Sequence, residues 1–280
     1  MEMSFDPIAL RKIIKRALEE DIGNGDITTD SIVGVDEEVS ALIHAGEPGV
    51  IAGLPVAGAV FKTLDPDIAF SCHFSDGQRV EKGQLLASVR GSGRCVLTGE
   101  RVALNFMQRL SGIATQTSKF VNLVSQYKAK IVDTRKTAPG LRVLEKYAVR
   151  AGGGSNHRFG LYDAVLIKDN HLKAAGSIKR AVELVKASAP FTMKIEVEVE
   201  DLAGVGEALL AGVDIIMLDN MSVAEMSRAV ELVAGKVLLE ASGGITEQTI
   251  VSVAQTGVDL ISVGYLTHSS RSLDIGLELV

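Results

Sequence analysis

Between residues 129 and 263 the chain alternates short apolar runs with amphipathic stretches of helical length, and few folds accommodate that pattern. The runs fall at 129–134, 164–168, 194–199, 214–218, 237–240 and 260–263. The helical stretches fall at 140–150, 177–188, 202–211, 222–234 and 246–255, the fourth opening on the capping box Ser222-x-x-Glu225. Strands joined by helical crossovers build a parallel sheet. Six units are fewer than the eight of a full TIM barrel, so the fold class expected is α/β: an incomplete, TIM-like parallel barrel, with an open doubly wound sheet as the alternative.

Polar groups collect where each run ends: Asp133-Thr-Arg-Lys136, Lys168-Asp-Asn-His171, Glu196-Val-Glu198, Asp219-Asn220, Glu240-Ala-Ser-Gly-Gly244 and Gly264-Tyr265. In parallel α/β folds ligands bind at the strand C-termini, because the loops converge there and helix N-termini aim N–H groups at the opening. Arg135, Lys136, His157 and Arg158 form a candidate anion site, since guanidinium forks match carboxylate and phosphate. The glycines of 152–154 would let backbone N–H groups approach the ligand. Arg142, Lys146 and Arg150, on the intervening helix, read instead as a solvated face.

Lys168 ends an apolar run and should project into the mouth. His171 either binds a ligand or ties loop to backbone. Glu198 and Asp219 end neighbouring strands and could hold a divalent cation or sugar hydroxyls. Glu196 shares the strand side of Glu198 by period two, so the sequence does not rank them. The Ser242-Gly-Gly244 turn and Val263-Gly264 suit phosphate.

Ahead of the barrel, residues 6–20 read as an amphipathic helix opened by Asp6-Pro7, and 38–96 as a mainly antiparallel sheet domain with strands at 39–45, 69–74 and 85–90. Within it, Asp76 to Gly83 resembles the hairpin of biotinyl and lipoyl carriers, but without a modifiable lysine tip it reads as structural. A long helical stretch at 98–127, with a break expected near Ser111-Gly112, leads to the second half.

A net charge of −6 and a pI near 5.5 argue against a nucleic-acid partner. Scarce aromatics, 4% with no Trp, leave little for base stacking. Cys72 and Cys95 form no metal motif and give no sign of secretion, which favours a cytoplasmic location. The apolar stretch 50–61 is far short of the roughly 20 residues that span a bilayer, and the first residues lack the apolar core of a signal peptide.

Several motifs, in order along nearly the whole chain, resemble the quinolinate phosphoribosyltransferase family. They are Gly99-Glu-Arg-Val-Ala-Leu-Asn105, Leu110-Ser-Gly-Ile-Ala-Thr115, Asp133-Thr-Arg-Lys-Thr-Ala-Pro-Gly140, Gly152 to Arg158, Lys168-Asp-Asn-His171, Leu218-Asp-Asn220 and Ser242-Gly-Gly244. The resemblance implies an N-terminal α/β sandwich (1–112, rejoined by 266–280) and a barrel (113–265). It implies transfer of phosphoribosyl from phosphoribosyl pyrophosphate to quinolinate with Mg²⁺, releasing pyrophosphate and CO₂ and leaving nicotinate mononucleotide for NAD synthesis. It assigns Arg101, Arg135, His157, Arg158 and Lys168 to quinolinate, with Thr134 and His171 nearby and Lys136 near both substrates. Glu198 and Asp219 face ribose and metal, and with Lys136 and Lys168 make up the catalytic set. Ser242, Gly243, Gly244, Ser262, Val263 and Gly264 would hold phosphate. It also implies a homodimer in which Arg101, otherwise a helix-surface residue, serves the partner's site, and it leaves higher assemblies open. A Schiff-base aldolase using Lys168 is the rival class, but so dense a cation cluster exceeds what most aldol substrates need.

Overall fold

The computed structural model describes residues 6–280; Met1–Phe5, where the segment read above begins, lie outside them. In chain order the elements are α1 (Pro7–Ile22), α2 (Ile27–Ile32), β1 (Glu38–Ala45), β2 (Gly49–Val50), α3 (Leu54–Leu64), β3 (Ala69–Cys72), β4 (Arg79–Val80), β5 (Leu85–Ser92), α4 (Gly93–Leu123) and β6 (Lys130–Val132). There follow α5 (Arg142–Ala151), β7 (Val165–Ile167), α6 (Asp169–Ala175), α7 (Ile178–Ser188), β8 (Ile195–Val199), α8 (Leu202–Ala211), β9 (Ile215–Asp219), α9 (Val223–Val233), β10 (Leu238–Ser242), α10 (Ile250–Gln255), β11 (Leu260–Ser262), α11 (Tyr265–His268) and β12 (Ile275–Leu279). The described residues group into two compact units, one of residues 6–118, 137–153 and 267–280, the other of 119–136 and 154–266.

The first unit is an α/β sandwich. Its antiparallel sheet runs β12-β1-β5-β3. Along β1 the side chains of Ala41, Ile43 and Ala45 are buried at period two, which fixes one face of the sheet to the core. Helix α3 packs on the sheet where Gly58 meets the Phe70 ring; a Cβ at Gly58 would lie 2.9 Å from it. Asp76 caps α3 by accepting the N–H groups of Gly53 and Leu54, at 2.7 and 3.1 Å. The segment 76–83 is therefore no free-standing hairpin: its strand, β4, pairs with β2.

Helix α4 runs unbroken through Ser111-Gly112, contrary to the break expected there. Glycine costs about 1 kcal/mol in a helix interior, which suggested a stop. It is needed for another reason, because a Cβ on Gly112 would lie 2.0 Å from the carbonyl oxygen of Arg271. On α5 the expected solvated row is corrected as well. Arg150 is exposed and Arg142 half-buried, but Lys146 is 0% exposed, because α5 is covered along nearly its whole second half.

The second unit holds six parallel strands in the order β6-β11-β10-β9-β8-β7. From β7 to β11 each strand lies beside its predecessor, and β11 returns to pair with β6. That is the ring order of a barrel, with a seam between β6 and β7; a doubly wound sheet would reverse order in the middle. All six predicted strands are present: β6, β7, β8 and β11 are shorter than expected, while β9 and β10 start one residue later and run on to Asp219 and Ser242. Their apolar residues, Ile131, Ile167, Val197, Ile216, Leu239 and Ile261 among them, are buried, as expected of parallel strands covered on both faces. No helix among the described residues is long and apolar enough to cross a membrane.

Candidate active site

The strand ends of the second unit place most of the predicted residues on one rim. Beyond β6, Asp133 is fully buried, Thr134 half-buried, and Arg135 and Lys136 exposed. The Thr134 hydroxyl accepts the Lys136 N–H at 3.0 Å and folds the chain back on itself. Asp133 ties in the facing loop, accepting from the His157 N–H (2.8 Å) and from Asn156 Nδ2 (2.6 Å). An isolated bridge between Val132 and Ser155 completes the join.

Arg158 is half-buried, its guanidinium donating to the Ala164 carbonyl at 3.0 Å. Burial, and then the neighbouring Arg135 charge, push its pKa down, while Glu196 pulls the other way. A half-buried guanidinium beside a second cation is a place where a bound anion would be stabilising. Gly152, ahead of this loop, has a packing reason: a Cβ there would lie 2.4 Å from the Ala114 carbonyl oxygen.

After β7, Lys168 is exposed and its Nζ lies 2.5 Å from Glu198 Oε2 at the end of β8. The Lys168-Asp-Asn-His171 stretch, read above as a loop, is the start of α6. His171 Nδ1 accepts the Lys168 N–H at 2.9 Å, so the ring caps that helix, the backbone-tying role left open by the sequence.

Glu198 and Glu196 separate cleanly by depth. Glu198 is half-buried at the rim, whereas Glu196, two residues earlier on the same side of β8, is 3% exposed inside the barrel. There its Oε2 lies 3.0 Å from His157 Nε2, with Glu240 Oε2 at 3.5 Å from the same nitrogen. Glu240, in the middle of β10, is 0% exposed. Burial first, then the Glu196 charge, push its pKa up to about 7, with His157 and the Ser262 hydroxyl opposing and Asp133 adding to the rise. Asp133 and Glu240 are the site residues to which the sequence reading gave no role. The signal was present in each case: a carboxylate at the heart or end of an apolar strand, too costly to bury without a purpose.

Asp219, at the end of β9, accepts from Asn220 Nδ2 at 2.8 Å. Asn220 itself is left-handed (φ 55°) and donates its N–H to the Ser242 carbonyl at 2.9 Å. Gly243 (φ 94°) lies against it, where a Cβ would come within 2.2 Å of Asn220 Oδ1. Gly244 also has positive φ, and the chain then turns through Thr246 and Thr249 so that α10 starts at Ile250, four residues later than predicted. Ser262 and Val263 are buried and Gly264 half-buried beyond β11. Arg101 lies in the first unit, exposed on α4.

Glu198 and Asp219 end adjacent paired strands and offer hard oxygen donors of the kind that could hold a divalent cation. The arrangement combines an anion-receiving rim of Arg135, Lys136, Arg158 and Lys168 with two carboxylates beside it.

Two family models cover the chain: the quinolinate phosphoribosyl transferase N-terminal domain over residues 26–111 and the C-terminal domain over 113–278. The nicotinate-nucleotide pyrophosphorylase (carboxylating) of Mycobacterium leprae is 46% identical over 99% of both chains. Quinolinate phosphoribosyltransferase (decarboxylating) 1b of Nicotiana tabacum is 41% identical over 96% of this chain and 82% of its own. Among solved structures, NadC from Streptococcus pyogenes superposes with a TM-score of 0.95 at 45% identity, covering all of both chains.

Proposed function

The chain belongs to the quinolinate phosphoribosyltransferase family, and from that premise we propose that it joins quinolinate to phosphoribosyl pyrophosphate and decarboxylates the adduct to nicotinate mononucleotide. The observation that carries the reading is the rim that gathers Arg135, Lys136, Arg158 and Lys168, where burial and then the Arg135 charge lower the pKa of Arg158, a cost that a bound dianion would offset.

Arg135, Arg158 and Lys168 receive the two carboxylates of quinolinate, with His157 behind them and Lys136 between diacid and phosphates. Lys168 must leave Glu198 to do so, which frees that carboxylate for the second substrate. Glu198 and Asp219 then face the ribose, where negative charge favours the cationic character that develops at the anomeric carbon. The ring nitrogen's lone pair forms the bond to that carbon as the bond to pyrophosphate breaks. The nitrogen is now cationic. The bond to the adjacent carboxylate breaks next, its electron pair stays on the ring carbon stabilised by that nitrogen, CO₂ departs, and the carbon takes a proton. The protein's contribution is orientation and charge, with no covalent intermediate.

Glu198 and Asp219 would hold the Mg²⁺ that accompanies the donor, which supplies neutralisation of pyrophosphate charge. The turn at Ser242, Gly243 and Gly244 and the segment Ser262 to Gly264 take the phosphates. A cytoplasmic homodimer, with Arg101 serving the partner's site, completes the proposal. Titration calorimetry with quinolinate and with nicotinate, followed by CO₂ release on adding phosphoribosyl pyrophosphate and Mg²⁺, tests it. Quinolinate-selective binding with CO₂ release is the expected result, and binding of neither acid would end the reading.

A further inference from the structure

The carboxylates inside the barrel lie beneath the rim, and the described geometry gives them no place against either substrate. Glu196 Oε1 and both oxygens of Glu240 lack a well-formed hydrogen bond among the described residues, Glu240 having only long approaches from His157 Nε2 and the Ser262 hydroxyl, although both glutamates are almost wholly buried. Buried polar atoms left in that condition cost stability, which marks a site kept for function.

The link from this interior to the rim is the His157 ring. Its Nδ1 accepts the backbone N–H of Arg158 at 2.7 Å. An imidazole nitrogen that accepts carries no proton, so the ring proton sits on Nε2 and points at Glu196 Oε2, 3.0 Å away. The ring is thus clamped at both nitrogens. One clamp is a carboxylate on β8, and the other is the backbone of the residue whose guanidinium forms the rim.

We propose that Glu196, backed by Glu240, is a positioning residue for quinolinate recognition, acting through the His157 ring on the backbone and guanidinium of Arg158. This rests on the reading above in which Arg158 receives a quinolinate carboxylate. Glu196 from β8 and Glu240 from β10 face the ring at Nε2 and the Arg158 N–H faces it at Nδ1, while Asp133, after β6, holds the His157 backbone N–H. The Ser262 hydroxyl of β11 lies between the Ala241 carbonyl, at 3.4 Å, and the Glu240 carboxylate, whose charged form it favours. Glu240 closes the remaining side of Nε2 at 3.5 Å, so rotation of the ring would bring it against a second carboxylate and not into open space. Losing the Glu196 acceptor should loosen Arg158 and leave the strand ends that carry the ribose-facing carboxylates in place.

The test has two arms. In the unmodified protein, nitrogen-15 NMR of the histidine rings, with His157→Gln for assignment, should show His157 as the Nε2–H tautomer. Kinetically, Glu196→Leu, which removes the acceptor, should raise the KM for quinolinate at least tenfold and move the KM for phosphoribosyl pyrophosphate less than twofold. Glu196→Gln, which keeps an acceptor oxygen, should restore most of the difference. An Nδ1–H tautomer, a ring in fast tautomer exchange, or equal changes in both KM values would overturn the proposal. So would stoichiometric zinc or manganese in the dialysed protein, since a metal on Nε2 would replace the proton. If Glu196→Leu does not fold, the tautomer and Glu196→Gln decide: a tenfold KM rise in that variant refutes the clamp. Absence of CO₂ release by the unmodified enzyme would instead sink the functional reading, and the tautomer would still report on the clamp.

Discussion

Replacing Glu240 by Gln should change how the protein's stability depends on pH, and the sign follows from burial. The carboxyl is 0% exposed with Glu196 beside it, and its pKa is pushed up from 4.5 to about 7. The folded state therefore binds a proton that the unfolded chain releases near its ordinary pKa. The resulting stabilisation is fully present below about pH 4.5 and is lost as pH rises through about 7. A shift of that size corresponds to about 3 kcal/mol, at ~1.4 kcal/mol per pKa unit. Glutamine keeps the shape and cannot titrate. Urea midpoints taken from pH 5 to 8 should fall more steeply for the parent protein than for Glu240→Gln, the two curves diverging by about 3 kcal/mol across the window. Comparing slopes removes any constant cost of the amide and the titration of every distant group. Parallel curves would refute the reasoning, and a parent protein gaining stability towards pH 8 relative to the variant would reverse its sign.

Arg109→Met should destabilise by about 3–5 kcal/mol in denaturant titration, because it strands the fully buried Glu145 carboxylate, which the Arg109 Nε reaches at 2.8 Å. Adding Glu145→Gln should recover part of that loss. Gly243→Ala should cost about 1–3 kcal/mol and raise the KM for phosphoribosyl pyrophosphate, since the residue holds φ 94° against Asn220; an unchanged KM would remove the turn from the phosphate site. Arg101→Ala and Lys168→Ala should each abolish turnover, and mixed dimers of the two should regain up to about a quarter of parental activity if one intact site forms per hybrid and subunits mix at random. Verified hybrids without activity would refute a shared site.

The barrel was readable because its buried parallel strands are short, mostly apolar runs, broken within β8 and β10 by Glu196 and Glu240, and because a charged or polar residue marks where each run ends. The rim cations followed from those ends. The helix α6 was not readable, since seven residues carry too little periodicity to distinguish it from a loop, and its cap is a histidine side chain and not one of the usual short acceptors. The unbroken course of α4 depended on Arg271, distant in sequence, whose carbonyl approach no local pattern announces. Lys146 was misread because helical spacing tells which residues share a row, and burial of that row is decided by tertiary packing. Glu196 and Glu198 are equivalent by period two, and only depth along the strand divides an interior clamp from a rim ligand.

The pairing of β12 with β1, in which Leu277 lies opposite Ile43, has a consequence for how the protein is made. A ribosome delivers β1 long before β12, so the nascent first unit holds that edge of its sheet open until β12 has emerged. Pairing of β12 is the event that seals it. A chain interrupted just before β12 would carry every rim residue described here and still leave the β1 edge exposed to pairing with another chain.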